Sequence, residues 1–296
     1  PVYIFDALKK KTPEEWKAAY RKSKYFQNFS NNDASSKSYS SMKSPSLNTD
    51  FFNQFTTLVS RYFTVTIRDY ERLALMLFIA PAIAMLINML FGDKGGKANN
   101  AEVNAIFIVV ISTIWLGCSN AVREIVNERS IYKRERMVNL SIPAYLSSKM
   151  AVLLAFSLYQ VVCLVGITGI KFEYSNVPGL FLILFYTSFI ATILGLLISA
   201  VSRTEAFALT VLPLVLIPMV IFAGLIKPFG QMSEPVQWFS GLWLSRWTYE
   251  LSLITSYDSA VKGDQGIGFN IDGSVIALVV MTIMLIVFIG GLVWKL

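Results

Sequence analysis

The segment REIVNERSIYKRERMVNLSIPAYLSSK, residues 123–149, decides how this chain is organised. It carries six Lys or Arg residues and three Glu residues, and it lies between two long apolar runs. A turn between two membrane helices needs only a few residues, whereas a helix of this length would extend roughly 40 Å. The sequence therefore predicts a charged helical surface that another protein element contacts.

Six apolar runs in the chain determine its class. Each is long enough to cross a bilayer core as a helix, which takes about 20 residues. Only 15% of the 296 residues are charged, whereas about 25% are charged in a typical soluble domain. The runs are 73–91, 104–122, 150–170, 178–202, 206–226 and 275–294. So many runs argue against buried helices of a soluble protein, and we predict an all-α membrane protein with six transmembrane helices.

Lys and Arg are distributed unequally between the two sides that these helices define. The side with both termini has 20 of them, and the opposite side has 6. Because an excess of Lys and Arg marks the cytoplasmic side, we predict cytoplasmic termini in a plasma membrane or a bacterial inner membrane. This asymmetry accounts for the formal net charge of +7, so we predict no nucleic-acid partner.

The polar region before the first run divides into two parts. Residues 1–48 start at Pro1 and end in a Ser-, Asn- and Lys-rich stretch that is typical of a flexible linker. Residues 49–72 predict an amphipathic connecting helix, which lies on the bilayer surface or packs against the charged segment, two arrangements that are compatible with each other. Its apolar face holds Phe51, Phe52, Phe55, Leu58, Val59, Tyr62, Phe63 and Tyr70.

The external segment 227–274 is rich in Trp and Leu, but Pro228 and Pro235 interrupt it. It is too broken to cross the membrane, so we predict a re-entrant or external helical segment before the last span. Such a segment either covers a transport path as a lid or packs on the membrane surface.

Residue chemistry argues against several other functions. The chain has no His, and both Cys118 and Cys163 lie within apolar runs, so the sequence predicts no metal site and no external disulfide. A polytopic membrane enzyme would need acids or histidines in its spans, and a passive channel would show a filter or rings of polar residues. We keep these two classes as alternatives to a transporter. No phosphate-binding G-x-x-x-x-G-K-[S/T] motif is present, so no cofactor is predicted for this chain.

The order of the segments resembles the transmembrane half of a G-subfamily (type V exporter) ABC transporter. The stretch NERSIYKRERMVNLSIPAYLSSK is similar to the pattern E-R-x-x-x-x-R-E…Y-x-x-S-K of that family. The resemblance covers essentially the whole chain. It implies that residues 1–48 follow a missing ATPase domain and that residues 73–296 form the six-span domain.

The resemblance also implies a function. The chain would be the membrane domain of an ATP-driven exporter that moves a lipid-like or amphipathic substrate out of the cytoplasm or inner leaflet by alternating access. ATP and Mg are expected on the ATPase domain, which is fused upstream or is a separate subunit. The full-length protein would then be an ATP-hydrolysing translocase. Other implied partners are membrane lipid and a second copy of the chain, or a related half-transporter.

The resemblance also implies roles in coupling and substrate binding for individual residues. The segment 123–149 would couple the spans to the ATPase domain, with the coupling charges Glu128, Arg134, Glu135 and Arg136. The substrate cavity would be lined by Ser112, Thr113, Leu116, Ile217 and Val220. A plug above the cavity would consist of Leu225 and Ile226. Multidrug members of the family place an aromatic residue where this chain has Leu116, and here the aromatic residue is the neighbouring Trp115.

Overall fold

The computed structural model describes residues 12–27, 47–91, 98–137, 140–172, 174–227, 229–256 and 273–296. Within these ranges every regular element is a helix, and six helices are long and apolar enough to cross a membrane. This confirms the predicted all-α fold with six spans. We number them span 1 to span 6: Tyr70–Phe91, Ala98–Ala121, Ile142–Thr168, Val177–Val201, Glu205–Phe222 and Gly273–Lys295.

The chain divides into two units, residues 1–49 and 50–296. In the first unit, the helix Pro13–Arg21 begins with a capping box, in which Thr12 and Glu15 satisfy each other's backbone N–H groups. Most of the predicted linker, residues 1–11 and 28–46, lies outside the described residues.

The amphipathic helix Leu47–Arg68 precedes span 1, and the two helices are separated at Asp69. Leu58, Tyr62 and Thr66 are buried at a spacing of four residues, so they form one inward stripe. Leu58 packs in an apolar cluster with residues of the charged helix Glu124–Met137 and of span 3. The predicted contact between the amphipathic helix and the charged segment is therefore present, and a position on the bilayer surface, which is compatible with it, stays a prediction.

The charged segment is not one continuous loop, and its structure corrects the predicted boundary at residue 149. The charged helix has 14 residues and ends at Met137, and span 3 begins at Ile142 rather than at residue 150. Pro143 lies in the first turn of span 3, where its missing N–H costs nothing and its fixed backbone angle favours a helix start. Lys149 is therefore part of a membrane helix.

Span 4 lies at the centre of the bundle, where it packs against spans 2, 3 and 6. Two glycines allow spans 2 and 4 to approach closely. A Cβ atom on Gly195 would lie 2.5 Å from the Cys118 carbonyl oxygen, and one on Gly117 would lie 2.9 Å from the Ser188 carbonyl oxygen. Small residues at membrane helix interfaces permit this kind of backbone contact.

We predict that Gly195→Ala lowers the stability of the folded bundle. The new methyl group meets backbone atoms that cannot move aside, and overpacking of this kind costs about 1–3 kcal/mol. The measurement is the thermal unfolding midpoint of the purified protein in detergent. The matched control is Gly290→Ala, whose Cβ has no neighbour within 4 Å. Equal midpoints for the two variants would contradict the proposed helix contact.

In its described residues 229–256, the external segment forms the α-helices Glu234–Ser240 and Leu244–Ser256, the second of which we call the outer helix. The outer helix is largely buried and packs against spans 2, 4, 5 and 6. Two of its hydroxyl groups bond inside the bundle: Ser245 donates to the Met219 carbonyl oxygen at 2.5 Å, and Thr248 and Thr187 share a hydrogen bond of 3.0 Å. The outer helix is therefore an integral part of the bundle. The rest of the segment, residues 257–272, lies outside the described residues.

Candidate functional site

A cluster of buried charges joins the ends of three helices. Glu124, the first residue of the charged helix, is only 4% exposed. Its carboxylate accepts a hydrogen bond from Arg72 in span 1 and one from Lys149 in span 3, the latter at 3.3 Å. Lys149 also pairs with Glu128 at 2.7 Å. Two cations and two carboxylates therefore balance each other: Glu124 and Lys149 are buried, where an unpaired charge would be costly, and Arg72 and Glu128 are partly exposed.

Aromatic and backbone groups complete the surroundings of this cluster. The Lys149 ammonium lies 3.8 Å from the ring centroid of Tyr62, which the amphipathic helix contributes. Arg72 also donates to the backbone carbonyl of Asn120 at 3.3 Å. The cluster therefore connects the amphipathic helix, the charged helix and spans 1, 2 and 3.

Span 4 holds the first turn of the charged helix. The Ser199 hydroxyl accepts hydrogen bonds from the backbone N–H groups of Ile125 and Val126, each at 3.0 Å. The first N–H groups of a helix have no partner within the helix, so an oxygen from another element satisfies them here. Movement of the charged helix along its axis would break these bonds to span 4.

A groove of about 750 Å³ separates the amphipathic helix from the far end of the charged helix. Arg61 and Glu135 close it with an ion pair of 2.5 Å, and a second guanidinium contact lies at 3.4 Å. The hydrogen bond to Glu135 raises the pKa of Arg61 above its already high value, so the guanidinium stays charged across the physiological range. The groove is lined by Asn53, Gln54, Thr57, Leu58, Arg61, Ile131, Arg134, Glu135 and Leu140.

The four predicted coupling charges lie on different faces of the charged helix. Glu128 points inward to Lys149, and Glu135 meets Arg61 of the amphipathic helix. Arg136 donates to the Leu140 carbonyl oxygen at 2.7 Å, and exposed Arg134 lines the groove. The structure thus connects two of these charges to neighbouring helices and leaves the Arg134 side chain on the surface.

Comparison with known proteins identifies the family. Residues 53–257 match the family model described as "ABC-2 type transporter". The chain belongs to this family.

One relative adds detail to this membership. The chain is 26% identical over 228 residues to the ABC transporter ATP-binding/permease protein Rv1747 of Mycobacterium tuberculosis. This match covers 70% of the present chain and 26% of the relative. The chain therefore spans about a quarter of the length of that fused ATP-binding and permease protein.

The predicted cavity residues of this ABC-2 membrane domain lie in two different environments. Ser112, Thr113 and Leu116 are buried inside the single chain, and the Thr113 hydroxyl donates to the Val109 carbonyl oxygen at 2.8 Å. On span 5, Ile217 is exposed and Val220 is half-buried. The exposed face of span 2 instead carries Trp115.

The predicted plug residues follow span 5 in a turn of the ABC-2 domain. Leu225 is half-buried and Ile226 is exposed. Gly224 precedes them with a φ of 103°, a backbone conformation that residues with a Cβ rarely adopt. This glycine reverses the chain between span 5 and the external helices.

The outer helix contains a second pair of charges, separate from the buried cluster around Glu124. Arg246 and Glu250 approach to 4.0 Å, and the Arg246 guanidinium lies 3.8 Å from the Phe229 ring and 4.2 Å from the Trp247 ring. Burial raises the pKa of Glu250, and the nearby Arg246 opposes this shift. Burial also lowers the pKa of Arg246. The pair is therefore partly desolvated.

Sequence reasoning missed the buried cluster because each member stands at the edge of an apolar run. Arg72 precedes the first run, Glu124 follows the second, and Lys149 precedes the third. A further polar contact was missed: Asn120 donates to Gln160 at 2.8 Å, and Gln160 donates to the Met76 carbonyl oxygen at 2.9 Å. The sequence signal that could have predicted the cluster is a polar or charged residue next to each of several spans.

Within the described residues, no group of three or more His, Cys, Asp or Glu side chains is arranged to hold a metal ion. The polar chemistry of the ABC-2 domain in these ranges consists of ion pairs and hydrogen bonds.

We predict that Glu124→Gln strongly destabilises the membrane domain. The substitution removes one partner of a buried pair and leaves Arg72 and Lys149 with excess positive charge, which typically costs about 3–5 kcal/mol. The readout is the thermal unfolding midpoint in detergent. Glu205→Gln is the matched control, because Glu205 pairs with Arg123 on the surface at 3.4 Å, where a pair contributes about 0–1 kcal/mol. Similar shifts in both variants would show that the buried cluster has no special role.

Proposed function

We propose that this chain is the membrane-spanning domain of an ATP-driven exporter of the G-subfamily type. Membership of the ABC-2 transporter family implies transport and favours this proposal over a polytopic enzyme or a passive channel. The proposed cargo is a lipid-like or amphipathic molecule, which alternating access moves out of the cytoplasm or inner leaflet. The apolar surfaces of the spans support a cargo of this kind.

The main observation behind the proposal is the groove between the amphipathic and charged helices. Its lining combines apolar Leu58 and Ile131 with Arg134 and the Arg61–Glu135 pair. Apolar side chains beside charged ones are typical of a protein contact surface. The occupant that we propose is an ABC ATPase domain, since the fused relative combines ATP-binding and permease parts in one protein. ATP and Mg would be bound by that domain.

The buried cluster supports transmission of movement from this groove to the spans. Glu135 faces the groove, whereas Glu124 and Glu128 of the same charged helix bind Lys149 of span 3. A push on the helix in the groove therefore acts on ion pairs and on the Ser199 hydrogen bonds at the ends of the spans. Such a switch requires two arrangements with different contacts.

We predict that Glu135→Ala in the full-length protein reduces transport about tenfold while basal ATP hydrolysis changes little. The loss corresponds to a coupling free energy within the usual range of about 1–3 kcal/mol. Transport and hydrolysis are measured together in proteoliposomes scanned across lipids and amphiphiles.

Two further variants make this test specific. The control is Arg68→Ala, which removes an exposed charge from the same amphipathic helix. The charge exchange Arg61→Glu with Glu135→Arg rebuilds the ion pair in reverse and should recover part of the lost transport. Unchanged transport in Glu135→Ala would exclude this ion pair from coupling.

The proposal includes a dimer with the substrate cavity between two copies. Exposed Trp115 on span 2 and exposed Ile217 on span 5 are apolar positions available to a second copy. Ser112, Thr113 and Leu116 would then lie behind this face and support it. Both termini are proposed to be cytoplasmic, on the side with the excess of Lys and Arg.

We predict that Trp115→Cys and Ile217→Cys form a cross-link between copies in a background with Cys118→Ala and Cys163→Ala. Spans 2 and 5 of different copies would approach each other around a two-fold axis. Gel electrophoresis after oxidation in membranes measures the dimer band. Leu278→Cys on span 6, which is also exposed, replaces Trp115→Cys in the control. A dimer band of equal strength in the control would indicate random collision and argue against the interface.

A further inference from the structure

The charged helix has a second face with a different composition. Residues 125, 129, 132, 133 and 136 follow helical spacing and lie on one side of a cavity of about 340 Å³. This volume falls within the usual range of small-molecule sites, about 300–1,000 Å³. The cavity is lined by Ile125, Arg129, Tyr132, Lys133, Arg136, Ala200, Lys295 and Leu296.

The cavity has a large excess of positive charge. Arg129, Lys133, Arg136 and Lys295 contribute four cations, and no Asp or Glu lines the cavity. The three acids of the charged helix are bound to other elements: Glu124 to Arg72 and Lys149, Glu128 to Lys149, and Glu135 to Arg61. Even a carboxylate at Leu296, the last residue of the sequence, would leave a surplus of three positive charges.

The cations keep free hydrogen-bond donors. Arg129 donates through one nitrogen to the Ala200 carbonyl oxygen at 2.5 Å, and Arg136 through one nitrogen to the Leu140 carbonyl oxygen at 2.7 Å. A guanidinium has five N–H donors, so each keeps several for an anion. In the described part of the chain, Lys133 and Lys295 have no ion-pair partner. Phosphate oxygens are the acceptors that such an arrangement fits best.

The position of the cavity indicates that the phosphate belongs to a membrane lipid. Span 4 ends at Val201 and span 6 at Lys295, so the cavity lies at the ends of two membrane helices. Trp294, beside Lys295, is 87% exposed, and Trp side chains favour the boundary between hydrocarbon and headgroups. The cavity therefore opens at the depth of lipid headgroups. Basic pockets between spans at this depth bind anionic lipids.

We propose that this cavity binds the phosphate-bearing headgroup of an anionic membrane lipid. The site lies on a face of the charged helix that does not line the groove closed by Arg61 and Glu135. A lipid held there would contact the charged helix and the ends of spans 4 and 6 together. The proposal requires only that the chain crosses a membrane, so its failure would leave the proposed ATPase coupling untouched.

The test measures lipid binding to the full-length protein by native mass spectrometry, with phosphatidylglycerol and phosphatidylcholine titrated into detergent micelles. The unsubstituted protein should retain phosphatidylglycerol preferentially. The double variant Lys133→Gln, Lys295→Gln removes two cations that make no ion pair among the described residues, and its affinity for phosphatidylglycerol should fall about thirty-fold. The control Arg68→Gln, Arg203→Gln removes the same charge from exposed positions outside the cavity and should change affinity much less.

Three outcomes would overturn the proposal. The first is equal binding of the two lipids, and the second is an equal loss in the cavity and control variants. The third is displacement by glycerol 1-phosphate at the concentrations at which the lipid binds, which would make the cavity a site for a soluble phosphate compound. If the double variant does not fold, as judged by its unfolding midpoint, Lys133→Gln alone should weaken binding about five-fold.

Discussion

The buried carboxylate of Glu124 constrains the rest of this structure. A charge with 4% exposure is tolerated only when it is paired, and both of its partners come from other helices. Arg72 fixes the start of span 1, and Lys149 fixes the first turns of span 3. The ends of three spans are thereby held in one register, although the residues that meet are far apart in sequence.

This pairing also gives the charged helix two chemically different sides. Its Glu side chains are all bonded to neighbouring helices, whereas Arg129, Lys133 and Arg136 remain on the opposite face. Although its sequence mixes acidic and basic residues, the folded helix therefore has an acidic side bound to neighbouring helices and a basic side that lines the cavity. The same asymmetry separates the groove proposed for the ATPase domain from the basic cavity proposed for lipid.

The sequence was sufficient to predict the class of fold, because six long apolar runs have few alternatives. It was insufficient to predict which charges meet. Lys149 was placed outside the third span since a charge usually marks the end of an apolar run, yet the pairing with Glu124 and Glu128 keeps it inside the helix. The inward orientation of Thr113 and Leu116 could not be predicted either, because span 2 has apolar residues on every side and its orientation is set by packing against span 4.

The outer helix shows why hydropathy alone underestimates what a membrane bundle can bury. It carries Ser, Thr, Arg and Glu, and it is nevertheless enclosed, with the Ser245 and Thr248 hydroxyls bonded to Met219 and Thr187 within the bundle. Thr187 belongs to span 4, the same helix whose Ser199 holds the charged helix at its other end. One helix therefore makes polar contacts with both the charged helix and the outer helix. Packed and hydrogen-bonded groups of this kind can connect distant parts of a protein, and span 4 makes such contacts at two points along its length.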